Sequence, residues 1–422
     1  MRIVRWLPGW TIPALLLAAC DPRPDVLTFS GSTLGAEGAL VRAQIARFAA
    51  ARPELTVIVQ ATPDAADQRH QLYVQWLNGW AADPDVLQLD VIWTPEFAAA
   101  GWILPFDRFG MPADELADFF PAALAADRWQ GRLYALPWFV DVGMLYWRTD
   151  LMPAPPATLA ELARIGRDAR DAGRVRTGFV WQGARYEGLV AVFLEHLTAF
   201  GGRILDDHGA VVVDSPAARH ALAFMYDAIH RDGIVPAAVL AWQEEQTRFA
   251  FQNGDAAFMR NWPYAAALLA RPGESRVAGR FAIAPMPSAT ARSAAALGGA
   301  HLAINARTSQ PDAAWDLVRY LTAPEQMIER AEIAGQLPAR RSVYADARLA
   351  HALPVAPEEA RGAIERAVPR PVTPVYTQLS GILQIHLHRA LTRQQAPADA
   401  LSGAAGAMRQ VLASSGLGRR GR

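Results

Sequence analysis

Residues 85–93 read "DVLQLDVIW", a short apolar run with the character of a β-strand, and its neighbours turn it into a fold assignment. Upstream, "VLTFS" (26–30) and "ELTVIVQ" (54–60) are two more strand signals. Between them, Leu40, Val41, Ile45, Phe48 and Ala49 recur at helical spacing. "RHQLYVQWLNGWAA" (69–82) supplies a second amphipathic helix before the third strand. The order β-α-β-α-β predicts a mostly parallel sheet covered by helices.

Downstream, "PEFAAAGWILPFD" reads as a helix and turn, and "GRLYALPWFVDVGMLYWRTDL" (131–151) as strand-rich connecting structure. The alternation restarts after Pro153. "TLAELARIGRDARDAG" is a helix, "TGFVWQ" (177–182) a strand, and "YEGLVAVFLEHLTAFGG" a helix ending in paired glycines. "AARHALAFMYDAIHRDG" and "EEQTRFAFQNGDAAFMRNWPYAAALLA" (244–270) read as helical, and "RFAIAPMPSA" (280–289) as a strand. "GAHLAINART" gives a further strand, and the remainder is helical apart from the Pro-rich "VPRPVTPVY" (368–376). At 422 residues the chain is too long for one ordinary core. With no repeat and no long linker, two α/β lobes threaded by several crossings fit best.

Formal net charge is zero, so the basic face that nucleic-acid binding needs is not expected. All 41 basic residues are arginine, which excludes Schiff-base chemistry, pyridoxal-phosphate attachment and a phosphate-loop lysine. The N-terminus, "MRIVRWLPGWTIPALLLAAC", has a positive start at Arg2 and Arg5 and an apolar run too short for a good membrane span. It ends at the only cysteine, so residues 1–19 are expected to be a lipoprotein signal peptide and Cys20 the lipidated residue. "LAAC" resembles a lipobox. Residues 20–25 read as a tether, and Asp21 points to retention in the inner membrane.

No metal signature, nucleophile elbow or Walker loop is present, and no cofactor is expected. Glu37, Asp90, Asp141 and Glu187 each follow or interrupt an apolar strand-like run, where loops at strand ends meet a cleft. Taken singly, each is better read as routine helix capping, and paired carboxylates leave a glycoside hydrolase open. Several of the 13 tryptophans lie near those carboxylates: Trp93, Trp138, Trp181 and Trp262. Rings beside carboxylates suit a carbohydrate, whose C–H faces pack on aromatic planes while its hydroxyls pair with charged groups. Core packing is the alternative for most of them. In "RNWPYA", Pro263 favours an extended Trp262, which would let Trp262 and Tyr264 share a face. The same stretch also reads as a helix start capped by Asn261.

Taken together, "LDVIWTPEFAAAGWILPFD", "YALPWFVDVGMLYWRTDL", "FQNGDAAFMRNWPYA", "HLAINARTSQPDAAWDLVRYLTAPEQ" and "RPVTPVYTQLSGILQ" resemble the family 1 extracellular solute-binding proteins of ABC importers. The trehalose/maltose-binding branch is the most similar. The resemblance implies a type II periplasmic-binding-protein-like fold, with a first lobe of residues 26–137 plus 289–338 and a second of 142–285 plus 343–415. Hinge crossings fall near 138–141, 286–288 and 339–342, and the sugar binds between the lobes. It implies that Glu37, Asp90 and Asp141 accept sugar hydroxyls, that Trp262 and Tyr264 stack on the sugar, and that Arg370 donates. Trp93, Tyr186, Glu187 and Gly299 complete the expected site. Related proteins often carry tryptophan where this chain has Ala300, so a roomier site and a differently shaped or larger α-glucoside are implied. The expected partners are a di- or oligosaccharide and the permease with its ATPase. The protein is expected to be a non-catalytic monomer on the periplasmic side of the inner membrane. A carbohydrate-active enzyme, or a same-fold binder of a polyamine or glycerol phosphate, is the alternative.

Overall fold

The computed structural model describes residues 25–32, 36–289 and 295–417. The expected signal peptide and Cys20 lie outside them. In chain order the strands are β1 (Asp25–Gly31), β2 (Leu55–Ala61), β3 (Val86–Asp90), a short hairpin of β4 (Arg128–Trp129) and β5 (Arg132–Leu133), β6 (Ala135–Val142), β7 (Met144–Arg148), β8 (Thr177–Val180), β9 (Ala256–Asn261), β10 (Phe281–Pro285), β11 (Leu297–Ile304) and β12 (Leu337–Pro338). They build a six-stranded sheet of order β12-β6-β11-β3-β1-β2 and a four-stranded sheet of order β10-β7-β9-β8.

β1 pairs in parallel with both β2 and β3, as the β-α-β-α-β reading requires. Beyond β3 the pattern changes, because β11 returns from late in the chain and pairs antiparallel with β3 and β6. A local alternation of strands and helices carries no signal for such an insertion. β6 is buried along almost its whole length, consistent with a strand covered on both faces. Helices Glu37–Ala50 and Ala66–Asn78 connect the parallel strands, and Glu187–Ala199 and Pro216–His230 pack with Tyr376–Leu391 beside the smaller sheet. Among the described residues, no helix is long and apolar enough to cross a membrane.

Two details differ from the sequence reading. The stretch 244–270 is not one helix. Helix Glu244–Gln252 stops before Gly254, whose φ is +80°, and the buried run Ala256–Asn261 becomes strand β9 between β7 and β8. Asn261 therefore does not cap a helix. Its Oδ1 accepts from the Trp262 backbone N–H at 2.8 Å, and the next helix begins at Ala265 with Tyr264 at its N-cap position. β6 stays in the large sheet to Val142, β7 enters the small one at Met144, and Gly143 is the step between them.

Candidate functional site

Between the two sheets lies a cavity of about 330 Å³, within the size range of small-molecule sites. From the large sheet, Asp90 ends β3 and Asp141 stands near the end of β6, on either side of β11. Their cross-strand partners on β11 are Ala300 and Gly298. Gly299 has φ +121°, and an added Cβ there would overlap the Phe139 carbonyl oxygen. Only glycine lets β11 bend at this point, just before the bulge at Ala300/His301.

The Glu37 carboxylate starts helix Glu37–Ala50 and is buried. Its Oε1 accepts from Arg330 Nη2 at 2.9 Å, and Arg330 in turn lies over the Trp138 ring, 3.7 Å from its centroid. Burial raises the Glu37 pKa, opposed by the charge of Arg330. Asp141 has no ion pair among the described residues, and only the more distant Arg260 and Arg330 charges oppose its shift. Its Oδ1 is buried without a hydrogen-bond partner among the described residues. Burial first, and then the nearby Glu37 and Asp90 charges, push its pKa up to about 7.

Across the cavity, the Trp262 ring rests on the Arg260 guanidinium, 3.8 Å from its centroid, in a cation–π contact. Arg260 is wholly buried and makes a bidentate pair with Glu195, at 2.8 Å from Nε and 2.5 Å from Nη2. Trp262 Nε1 points at Glu244 Oε1, 3.4 Å away, and an added Cβ at Gly298 would stand 3.2 Å from the indole. The ring is thus held on one face, at its N–H and along one edge. Tyr264 donates its hydroxyl to Glu245 Oε1 at 2.9 Å. Arg370 joins the two sides of the site, donating to Asp90 Oδ1 at 3.0 Å and to Glu187 Oε1 at 2.8 Å. Glu187 also accepts from Tyr376 Oη at 2.8 Å and from Ser380 Oγ.

A family description, bacterial extracellular solute-binding protein, matches residues 31–328. The chain belongs to that family. A probable ABC transporter-binding protein of Deinococcus radiodurans is 36% identical over 370 residues, 84% of this chain and 86% of that protein. The maltotriose-binding protein of Pyrococcus abyssi is 25% identical over 302 residues, 70% of this chain and 62% of its own length. Among solved structures, maltose-bound T. maritima MalE3 superimposes with a TM-score of 0.86 at 40% identity, covering 92% of this chain and all of that one. The fold is therefore the type II periplasmic-binding-protein arrangement, and the family is one of extracellular transport binding proteins.

In this solute-binding protein, Glu37, Asp90, Asp141, Tyr186, Glu187, Trp262, Tyr264, Gly299 and Arg370 all line the one cavity. Trp93 does not, and its expected place in the site is corrected. It is 2% exposed and stacks on Phe97 at an interplanar angle of 12°, within a separate core cluster that also holds Tyr73. Trp138 and Trp181 are likewise core residues. Sequence reasoning missed Gln88, Arg330, Glu244 and Glu245. Gln88 and the two glutamates line the cavity, and Arg330 supports Glu37 from behind. The signal for the glutamates was "QEEQ" (243–246), but acidic residues in a helix's first turn are already explained by the helix dipole.

Proposed function

We propose that this protein captures an α-glucosidic disaccharide or short oligosaccharide in the interlobe cavity and delivers it, uncleaved, to the permease of an ABC importer. The observation that carries the reading is the fixed Trp262 ring, facing a cavity rimmed by carboxylates and by Arg370. An indole plane suits the C–H face of a sugar ring, and ionised acceptors suit its hydroxyls. The maltotriose-binding relative and the maltose-bound neighbour support the same ligand class. Glu37, Asp90 and Glu187 are each tied to an arginine. That favours steady hydroxyl acceptors over a carboxylate pair that exchanges protons with a scissile bond. In this reading the lobes of residues 26–137 plus 289–338 and 142–285 plus 343–415 close on the sugar as a monomer. The chain is held by a lipid on Cys20 at the periplasmic face of the inner membrane.

The test is a thermal-shift series with maltose, trehalose, maltotriose, a polyamine and glycerol phosphate. A glucoside at about 100 times its Kd should stabilise the protein by about 2.7 kcal/mol, seen as a rise in Tm. A rise with the polyamine or phosphoester and none with any glucoside overturns the proposal. Release of glucose from a bound glucoside would establish an enzyme instead.

A further inference from the structure

Glu187 opens helix Glu187–Ala199 and faces the cavity, yet the residue before it, Tyr186, supplies no side-chain cap. The first N–H groups of a helix need partners from elsewhere. Here the partner comes from across the cleft. Asp67, on helix Ala66–Asn78 beside the large sheet, accepts from the Glu187 backbone N–H through Oδ1 at 3.3 Å. Its Oδ2 accepts from Gln384 Nε2 at 3.1 Å. Gln384 also donates to Ser380 Oγ at 2.9 Å, and Ser380 donates to Glu187 Oε2. Asp67, Glu187, Ser380 and Gln384 thus form a closed ring of hydrogen bonds. Ser380 and Gln384 lie one turn apart on helix Tyr376–Leu391, which packs against Glu187–Ala199. Of the four, Asp67 alone belongs to an element of the large-sheet side.

We propose that Asp67 is a closure latch and a positioning residue, which holds the start of helix Glu187–Ala199 across the cleft and so retains the closed form around its ligand. The inference rests on the reading of this cavity as the binding site. Opening the cleft withdraws both Asp67 oxygens together, leaving the Glu187 N–H and the Gln384 amide to water. Hydrogen bonds to an ionised carboxylate are the stronger kind, so their loss biases the protein toward the open form. Ligand enters through the open cleft and is held by closure, so a weakened closed form appears as faster dissociation at a nearly unchanged association rate. Asp67 also steadies Glu187 from its backbone while Arg370, Tyr376 and Ser380 fix its carboxylate.

The experiment compares the full chain with Asp67→Ala and Asp67→Asn by stopped-flow maltose binding and by small-angle scattering without ligand. Asp67→Ala should raise the maltose dissociation rate and Kd together by about tenfold, the scale of one or two charge-assisted bonds. The association rate should hardly change, and the ligand-free radius of gyration should increase. Asp67→Asn keeps one acceptor for the Glu187 N–H but neither the charge nor the second acceptor oxygen, and should recover only part of both effects. An unchanged scattering profile in Asp67→Ala overturns the latch, whatever maltose does. A lowered Tm with unchanged dissociation kinetics also overturns it, since that is the mark of a residue with only a structural role. If maltose binds none of the three proteins, the glucoside reading fails and the scattering result alone decides the latch.

Discussion

Asp141 is the least settled charge in the cavity, and its pH behaviour follows from that. Its pKa is pushed up to about 7 by burial and by the Glu37 and Asp90 charges, against about 3.9 for an unfolded aspartate. Between those values the folded protein binds more protons at this site than the unfolded chain does. Stability of the ligand-free protein should therefore fall as pH rises from about 4 to about 7 through this group. Asp141→Asn should remove that slope and stabilise the ligand-free protein at pH 8 by on the order of 1–3 kcal/mol, measured by urea denaturation across pH. A slope that persists in the variant would assign it to another group. At this scale the sequence was informative where a carboxylate interrupts an apolar strand, as Asp90 and Asp141 do. It was uninformative for Trp93, because an aromatic residue just past a strand looks the same whether it turns into a cleft or into the core.

Among elements, the step from β6 to β7 shows how the two sheets depend on one residue. An added Cβ at Gly143 would overlap Glu195 Oε1 and stand 2.7 Å from Arg260 Nη2. The strand change therefore passes directly over the buried pair that carries the Trp262 ring. Gly143→Ala should force that pair apart and cost about 3–5 kcal/mol of stability, the scale for breaking a buried ion pair. Chemical denaturation gives the loss, and a parallel fall in maltose affinity would report the displaced indole. A fully stable Gly143→Ala protein would show that the crossing adjusts. Strands β1, β2 and β3 were legible because local periodicity and connectivity agree there. Strand β9 was not. Its apolar run follows a helix without a turn signal beyond Asn253 and Gly254, and only pairing with β7 and β8 distinguishes it from more helix.

For the molecule as a whole, the cavity belongs to neither sheet alone, so filling it links ligand binding to protonation. Asp141 titrates near neutrality in the ligand-free protein, with an oxygen awaiting a donor. A sugar hydroxyl that donates to its carboxylate stabilises the ionised form and lowers the pKa in the complex. Fewer protons are then bound in the complex than in the free protein, so affinity should rise from pH 6 to pH 8 and level off above. Net proton release should be greatest between the bound and free pKa values, and so below pH 7, and each unit of separation between them corresponds to a tenfold gain in affinity. Calorimetry with maltose in buffers of different ionisation enthalpy measures the released proton directly. In Asp141→Asn the release should vanish and affinity should become flat with pH. Proton uptake on binding to the unaltered protein would mean that the ligand meets Asp141 as an acceptor, and would reverse the assigned direction of that contact.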